Sequence, residues 1–263
     1  MFIKNFFQRL EKHNNYFRIL IVLILGLILR VLFSSFGTLR LVQNTFIVWS
    51  NILVEKGLAG FYEGWSDYLP GYLYILWLLG KIQSLNIIPT VILYKLPAII
   101  SDVFIGLIIY LVVKKIKNEK WALVSSALFL FNPAVLGNST FWGQSDSVTA
   151  LFALLSLFLL DKSLLFSSIS LSLGTLVKPQ GGFVAPLLLF LMIKNKWKAG
   201  KIVSYILLSL GIFVLGFLPF ANGKEIFQFI FARLTVTYNQ YPYTSINAFN
   251  FWALSGLWQS ETV

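Results

Sequence analysis

The chain has 263 residues, of which 57% are hydrophobic and only 12% charged, and its mean hydropathy is +0.78. Soluble domains carry roughly 25% charged residues, so this composition places the chain in a membrane and excludes an ordinary soluble domain. A net charge of +11 would suit nucleic acid, but the cations fall in short clusters between apolar runs, as in membrane loops, which excludes a nucleic-acid partner. There is no cysteine, hence no disulfide framework or thiolate metal site, and the single histidine, His13, excludes a histidine-based metal centre.

The first segment, 1–18, carries Lys4, Arg9, Lys12 and Arg18, with Phe2, Ile3, Phe6, Phe7 and Leu10 at helical spacing. This pattern predicts an amphipathic helix on the cytoplasmic surface. The apolar run 19–36 is longer than a signal-peptide core and lacks a small-residue cleavage site, so it is expected to stay as an anchor.

Residues 19–220 form the predicted membrane domain. Lysine clusters at 114–120 and 194–201, together with the basic N-terminus and Lys162, belong on the cytoplasmic side. That assignment predicts spans at 19–36, 89–113, 121–137, 147–160, 164–177, 180–194 and 202–220. The fold class is then an all-α integral membrane protein with about seven transmembrane helices, its N-terminus inside and its C-terminus outside.

A long first outer loop, 37–88, separates the first two spans. Within it, 69–88 is apolar but bounded by Asp67 and Lys81 and rich in Tyr and Trp. It predicts an interfacial or partly re-entrant helix, because counting it as a span would put the Lys114 cluster outside. Segment 221–263 is the outer tail.

This topology gathers the unusual polar motifs on the outer face. Asn132 to Ser147 is a kinked polar island between apolar runs, and hydrocarbon does not tolerate such a segment unless it lines water or lies at a membrane face. In Trp142-Gly143-Gln144-Ser145-Asp146, Ser145 is expected to cap the following helix, with Gln144 and Asp146 projecting into an outer cavity. Lys178-Pro179-Gln180 is expected to open another helix and to set a cation beside free amides, a place that suits phosphate. Each motif also has a plain reading, as a helix cap for Asp146 and a boundary lysine for Lys178.

Glu63 to Tyr74 crowds carboxylates, aromatic rings and turn residues, which suits sugar binding or an ordinary interfacial loop. Arg30, Lys95 and Asp102 lie in or near hydrocarbon, where an ionisable group is normally paired. Lys95 and Asp102 are about 10 Å apart along a helix and cannot bond directly, so partners on other helices are expected.

Asp67-Tyr-Leu-Pro-Gly-Tyr-Leu-Tyr-Ile-Leu-Trp77, Lys95-Leu-Pro-Ala98 with Asp102, Phe131-Asn-Pro133, Trp142-Gly-Gln-Ser-Asp146, Lys178-Pro-Gln180 and Asn247-Ala-Phe-Asn-Phe-Trp252 occur in this order. Together they resemble the prokaryotic membrane mannosyltransferases related to the second mannosyltransferase of GPI-anchor synthesis, in the GT-C superfamily. The resemblance runs from about Asn44 to the end of the sequence. It implies an enzyme of the prokaryotic plasma membrane, with its active site facing outside. Such an enzyme takes a sugar, typically mannose, from a polyprenyl-phosphate carrier and passes it, with inversion, to a glycan or lipid acceptor.

The resemblance also implies a catalytic aspartate early in the first outer loop. Here the chain departs from it, since no acid occurs between Gly37 and Val54. Either Asp67 or Asp146 takes that role as base, or the chain is impaired and binds lipid-linked sugar without transfer. Relatives continue with further spans, so a truncated product or a minimal core is expected. On this reading Lys178, with Gln180 and the start of the Asp146 helix, holds the carrier phosphate, Gln144 lies in the cavity with the substrate, and Trp142, Tyr68, Tyr72, Tyr238 and Tyr241 pack on sugar or carrier. A divalent metal at Asp146 suits the chemistry but lacks a second nearby carboxylate.

Overall fold

Hydrocarbon tolerates a spanning chain only if its backbone groups are satisfied internally, and the apolar runs meet this condition as helices. The computed structural model describes residues 2–240, 243, 251, 254 and 256, with side chains from Phe17 onward, and no extended strand occurs among them.

Helix α1 (Phe2–Ser34) is continuous from the basic N-terminus through the first apolar run, so the predicted surface helix and anchor are one element. The first loop carries α2 (Arg40–Gly60), a 3-10 turn (Phe61–Glu63) and α3 (Pro70–Gln83), which Pro70 opens. A short α4 (Thr90–Leu93) leads into α5 (Leu96–Ile116), and Asn118 caps α6 (Glu119–Leu130) by accepting from the Trp121 amide.

The Asn132–Ser147 island is mostly helical rather than open loop. Asn132 caps α7 (Pro133–Leu136), which runs into a π-helical turn (Gly137–Trp142). Gly143 ends that turn at φ +69°, a conformation that glycine adopts without steric cost. Then follow α8 (Asp146–Leu159), α9 (Leu164–Val177), a 3-10 turn (Pro179–Val184), α10 (Ala185–Lys194), α11 (Ala199–Ala221) and α12 (Ile226–Asn239).

Among the described residues, three helices are long and apolar enough to cross a membrane: Phe17–Ser34, Leu96–Ile116 and Ala199–Ala221. The α6 helix and the segment Pro133–Trp142, bent by 46° at their junction, would make a fourth. That is fewer than the seven spans predicted. The difference lies in α8 and α9, each of 14 residues, and in Pro179–Lys194. A 14-residue helix rises only about 21 Å against a hydrocarbon core of about 30 Å.

Two kinds of surface separate cleanly. The main core joins Phe46, Trp49 and Leu53 of α2 to Leu73 and Leu76 of α3, Leu176 of α9, Phe217 and Phe220 of α11 and Phe229 of α12. Outward, α11 presents Leu207, Leu210 and Leu215 uncovered, a face suited to lipid. Serines stitch the helices together. Ser50 donates to the Leu76 carbonyl at 2.7 Å, Ser126 to Gly106 at 2.9 Å and Ser172 to Ser209 at 2.7 Å, as small hydroxyl residues do between membrane helices.

The buried charges find partners on other helices, as the sequence demands. Arg30 of α1 pairs with Asp102 of α5 at 3.0 Å, both fully buried, and also donates to the Leu130 carbonyl at 2.8 Å. Lys95 donates to the carbonyls of Ser34 and Gly37 at 2.8 and 2.6 Å, closing the start of α5 against the end of α1.

A candidate phosphate and sugar site

Five pieces of chain, the fifth being α12 through Thr237, meet around a cavity of about 440 Å³, within the range of small-molecule sites. The first turns of α2 supply Val42, Thr45, Phe46 and Trp49, one face of a helix at i, i+3, i+4 and i+7. The loop before α3 supplies Trp65, Asp67 and Tyr68, the loop before α8 supplies Gln144, and the junction after α9 supplies Lys178 and Gln180.

The loop before α3 is fixed from both sides. Thr237 of α12 donates to the Asp67 carbonyl at 2.7 Å, and the Tyr62 hydroxyl donates to the Tyr68 carbonyl at 2.8 Å. The Tyr68 ring meets Trp49 edge-on at 5.3 Å between centroids and Phe46 at 5.8 Å. Its hydroxyl lies 3.3 Å from both the Gln144 side-chain oxygen and the Ser145 hydroxyl. Tyr68 is thereby a braced aromatic wall with a polar tip.

Asp67 is half-buried and forms no ion pair among the described residues. Burial pushes its carboxyl above the ordinary aspartate value, against the opposing pull of its own backbone amide and of Lys178. A raised carboxylate is a better proton acceptor near neutral pH.

Lys178 sits in extended backbone between α9 and the following 3-10 turn. Its ammonium group reaches the Asp146 carboxylate at 2.5 Å and lies 5.9 Å from the centre of the Tyr68 ring. Asp146 also accepts from the Asn138 amide at 3.3 Å. Half of the Asp146 side chain is exposed, so water screens the pair and it contributes at most about 1 kcal/mol to stability. Its effect is positional, tying the α9 end to the α8 start.

The structure thus brings Asp67, Tyr68, Gln144, Lys178 and Gln180 to one cavity, with Asp146 behind Lys178 rather than in the wall. It does not bring the other predicted contacts there. Tyr72 is wholly buried in the core, its ring tilted against those of Phe46 and Tyr68, so its role is to support Tyr68 and not to touch a ligand. Trp142 and Tyr238 are exposed and do not line the cavity. Tyr241 lies outside the described residues.

Two capping expectations also change. Ser145 makes no side-chain cap to α8, because its hydroxyl turns to Tyr68. Pro179 opens a six-residue 3-10 turn rather than an α-helix.

Sequence reading missed Val42, Thr45, Trp49, Trp65 and Thr237 in the cavity wall. The helical spacing of the α2 residues was a usable signal, whereas Thr237 carries none. Among the described residues, no group of three or more histidine, aspartate or glutamate side chains gathers as a metal site. No family model matches the chain, and no curated protein or solved structure matches it.

Proposed function

We propose that the chain is a multi-pass membrane glycosyltransferase with about seven membrane segments and a GT-C-like core. It would take a sugar, mannose on the strength of the motif resemblance, from a polyprenyl-phosphate carrier at the outer face of a prokaryotic plasma membrane. The observation that carries this reading is that a carboxylate with a raised pKa and a lysine line one cavity with aromatic walls.

The chemistry follows from those groups. An acceptor hydroxyl attacks the anomeric carbon, and Asp67 takes its proton. The carbon–oxygen bond to the carrier phosphate breaks on the opposite face, so the configuration inverts. The leaving phosphate is already anionic, and a cation stabilises it better than a general acid would. Lys178 supplies that charge, Gln144 and Gln180 supply amide hydrogen bonds, and Tyr68 supplies a ring face for the sugar. Of the two candidate bases, Asp67 is favoured because the Asp146 carboxylate is held by Lys178 and Asn138.

The test is incubation of the full chain in membranes with polyprenyl-phosphate-mannose and a hydroxyl acceptor. Release of polyprenyl phosphate that is lost in Lys178→Ala supports the reading; no release, or release at an unchanged rate in the variant, refutes it.

One observation favours a second reading, a protein that binds lipid-linked sugar without transfer. The α2 face of the cavity, where an acid is expected by resemblance, presents Val42 and Thr45. Val42→Asp discriminates the two: activity gained by a silent protein supports the second reading.

A further inference from the structure

A second cavity, of about 310 Å³, lies against α12 and is lined by Lys224, Glu225, Gln228, Phe229, Ala232 and Arg233. Both of its cations converge on one aromatic ring. The Lys224 ammonium lies 5.7 Å from the centre of Phe229, and the Arg233 guanidinium lies 5.9 Å from it. Neither cation pairs with a carboxylate among the described residues.

The one acid in the wall is already engaged. Glu225 caps α12, accepting from the Phe227 and Gln228 amides at 3.0 and 2.6 Å. The cavity therefore keeps an excess of positive charge. In addition, the Arg233 Nε is buried with no hydrogen-bond partner, while the guanidinium lies 5.0 Å from the centre of the Tyr62 ring. A buried guanidinium donor left without an acceptor is costly, and an anion beside the same guanidinium offsets its charge.

From these contacts we infer that the Lys224–Arg233 cavity is a second anion site, one that takes the phosphate group of a membrane lipid. Arginine and lysine together match phosphate, with a planar fork from one and a compact charge from the other. The apolar wall formed by Phe229 and Ala232 suits the carbon chain attached to a phosphodiester better than it suits a bare ion.

The site communicates with the first cavity through shared elements. Thr237, one turn along α12 from Arg233, lines the larger cavity and donates to the Asp67 carbonyl. Tyr62, under the Arg233 guanidinium, anchors Tyr68. Two separate anion sites would let a carrier phosphate and a second phospholipid lie side by side. That arrangement rests on the proposed function, whereas the anion site itself does not.

The test is titration of the full chain, in an uncharged detergent, with short-chain phosphatidylglycerol and separately with inorganic phosphate. Saturable phosphatidylglycerol binding, weakened about tenfold in Lys224→Gln and in Arg233→Gln, is the expected result. Phosphate binding with the same dependence on both residues supports the anion site but assigns it to the free ion. Lys224 is exposed, so Lys224→Gln decides the matter should Arg233→Gln fail to fold. No saturable binding of either probe, or binding insensitive to Lys224→Gln, overturns the proposal. Such a failure leaves sugar transfer to be judged by its own assay.

Discussion

Asp67 and Asp146 are both carboxylates near Lys178, yet their surroundings separate them. Asp67 is half-buried and pairs with no cation, so burial dominates and its carboxyl is raised. On the proposed function Asp67 must be ionised to accept a proton, so its protonation is expected to remove activity as pH falls. The acid limb of kcat/KM is expected above the ordinary aspartate value of 3.8. A pH–rate profile of the unaltered chain checks this. A limb at or below the ordinary value would show that burial is not what governs this group.

A second residue-scale prediction concerns Arg30 and Asp102, far from the site. Asp102→Ala leaves a guanidinium buried with one charge partner gone, a change that costs about 3–5 kcal/mol. The double variant Arg30→Leu with Asp102→Leu should recover much of that loss, because well-packed apolar pairs substitute for buried ion pairs. Unfolding midpoints in detergent measure both. An unaffected Asp102→Ala would mean that the pair contributes little to holding α1 against α5.

Among the elements, α3 and α9 set the distance between Asp67, the proposed base, and Lys178. A Cβ built on Gly71 of α3 would lie 2.5 Å from the Leu176 carbonyl carbon, just before Lys178. Gly181 is equally constrained, 2.3 Å from the backbone of Gly174. Gly71→Ala therefore has to push the two helices apart, at a cost of about 1–3 kcal/mol, and moves Lys178 away from Asp67. The expected outcome is a folded protein with transfer reduced about tenfold or more, since small misplacements weaken oriented catalysis. Gly64→Ala, whose added Cβ meets only a carbonyl oxygen at 3.8 Å, is the control that should change neither.

How far the elements were legible follows from the same helices. Apolar runs mark helices in the sequence as in the structure, whereas Pro70 and the capping residues Asn118 and Ser163 are local signals that the sequence reading did not use. The placing of Asp67, Gln144 and Lys178 around one space was legible because alternating helices set the start of α3, the start of α8 and the end of α9 on one face. The fate of Tyr72 was not. Whether an aromatic one turn along from Tyr68 faces a cavity or a core depends on which helix lies against it, and α2 covers it here. Ser145 was misjudged for a related reason: a tertiary partner, Tyr68, takes the hydroxyl that local capping rules assign to α8.

On the scale of the whole molecule, three helices among the described residues satisfy length and composition for crossing a bilayer, and the bent α6–α7 unit would be a fourth. The proposed orientation puts the 114–120 and 194–201 lysine clusters inside and the cavity outside. The absence of cysteine makes a direct check clean, because single introduced thiols have no background. Gly64→Cys should react with a membrane-impermeant maleimide in intact cells, and Lys196→Cys only after permeabilisation. The reverse pattern would place the cavity in the cytoplasm.

The central claim is that the cavity joins a base, Asp67, to a phosphate-binding cation, Lys178, with Asp146 outside the chemistry. The most direct test compares initial rates of mannose transfer from polyprenyl-phosphate-mannose by the unaltered chain, Asp67→Asn and Asp146→Asn. General-base catalysis contributes about 10²–10⁴-fold, so Asp67→Asn should fall by at least about 100-fold while Asp146→Asn stays within about tenfold. The opposite ranking, or full activity in Asp67→Asn, would contradict it.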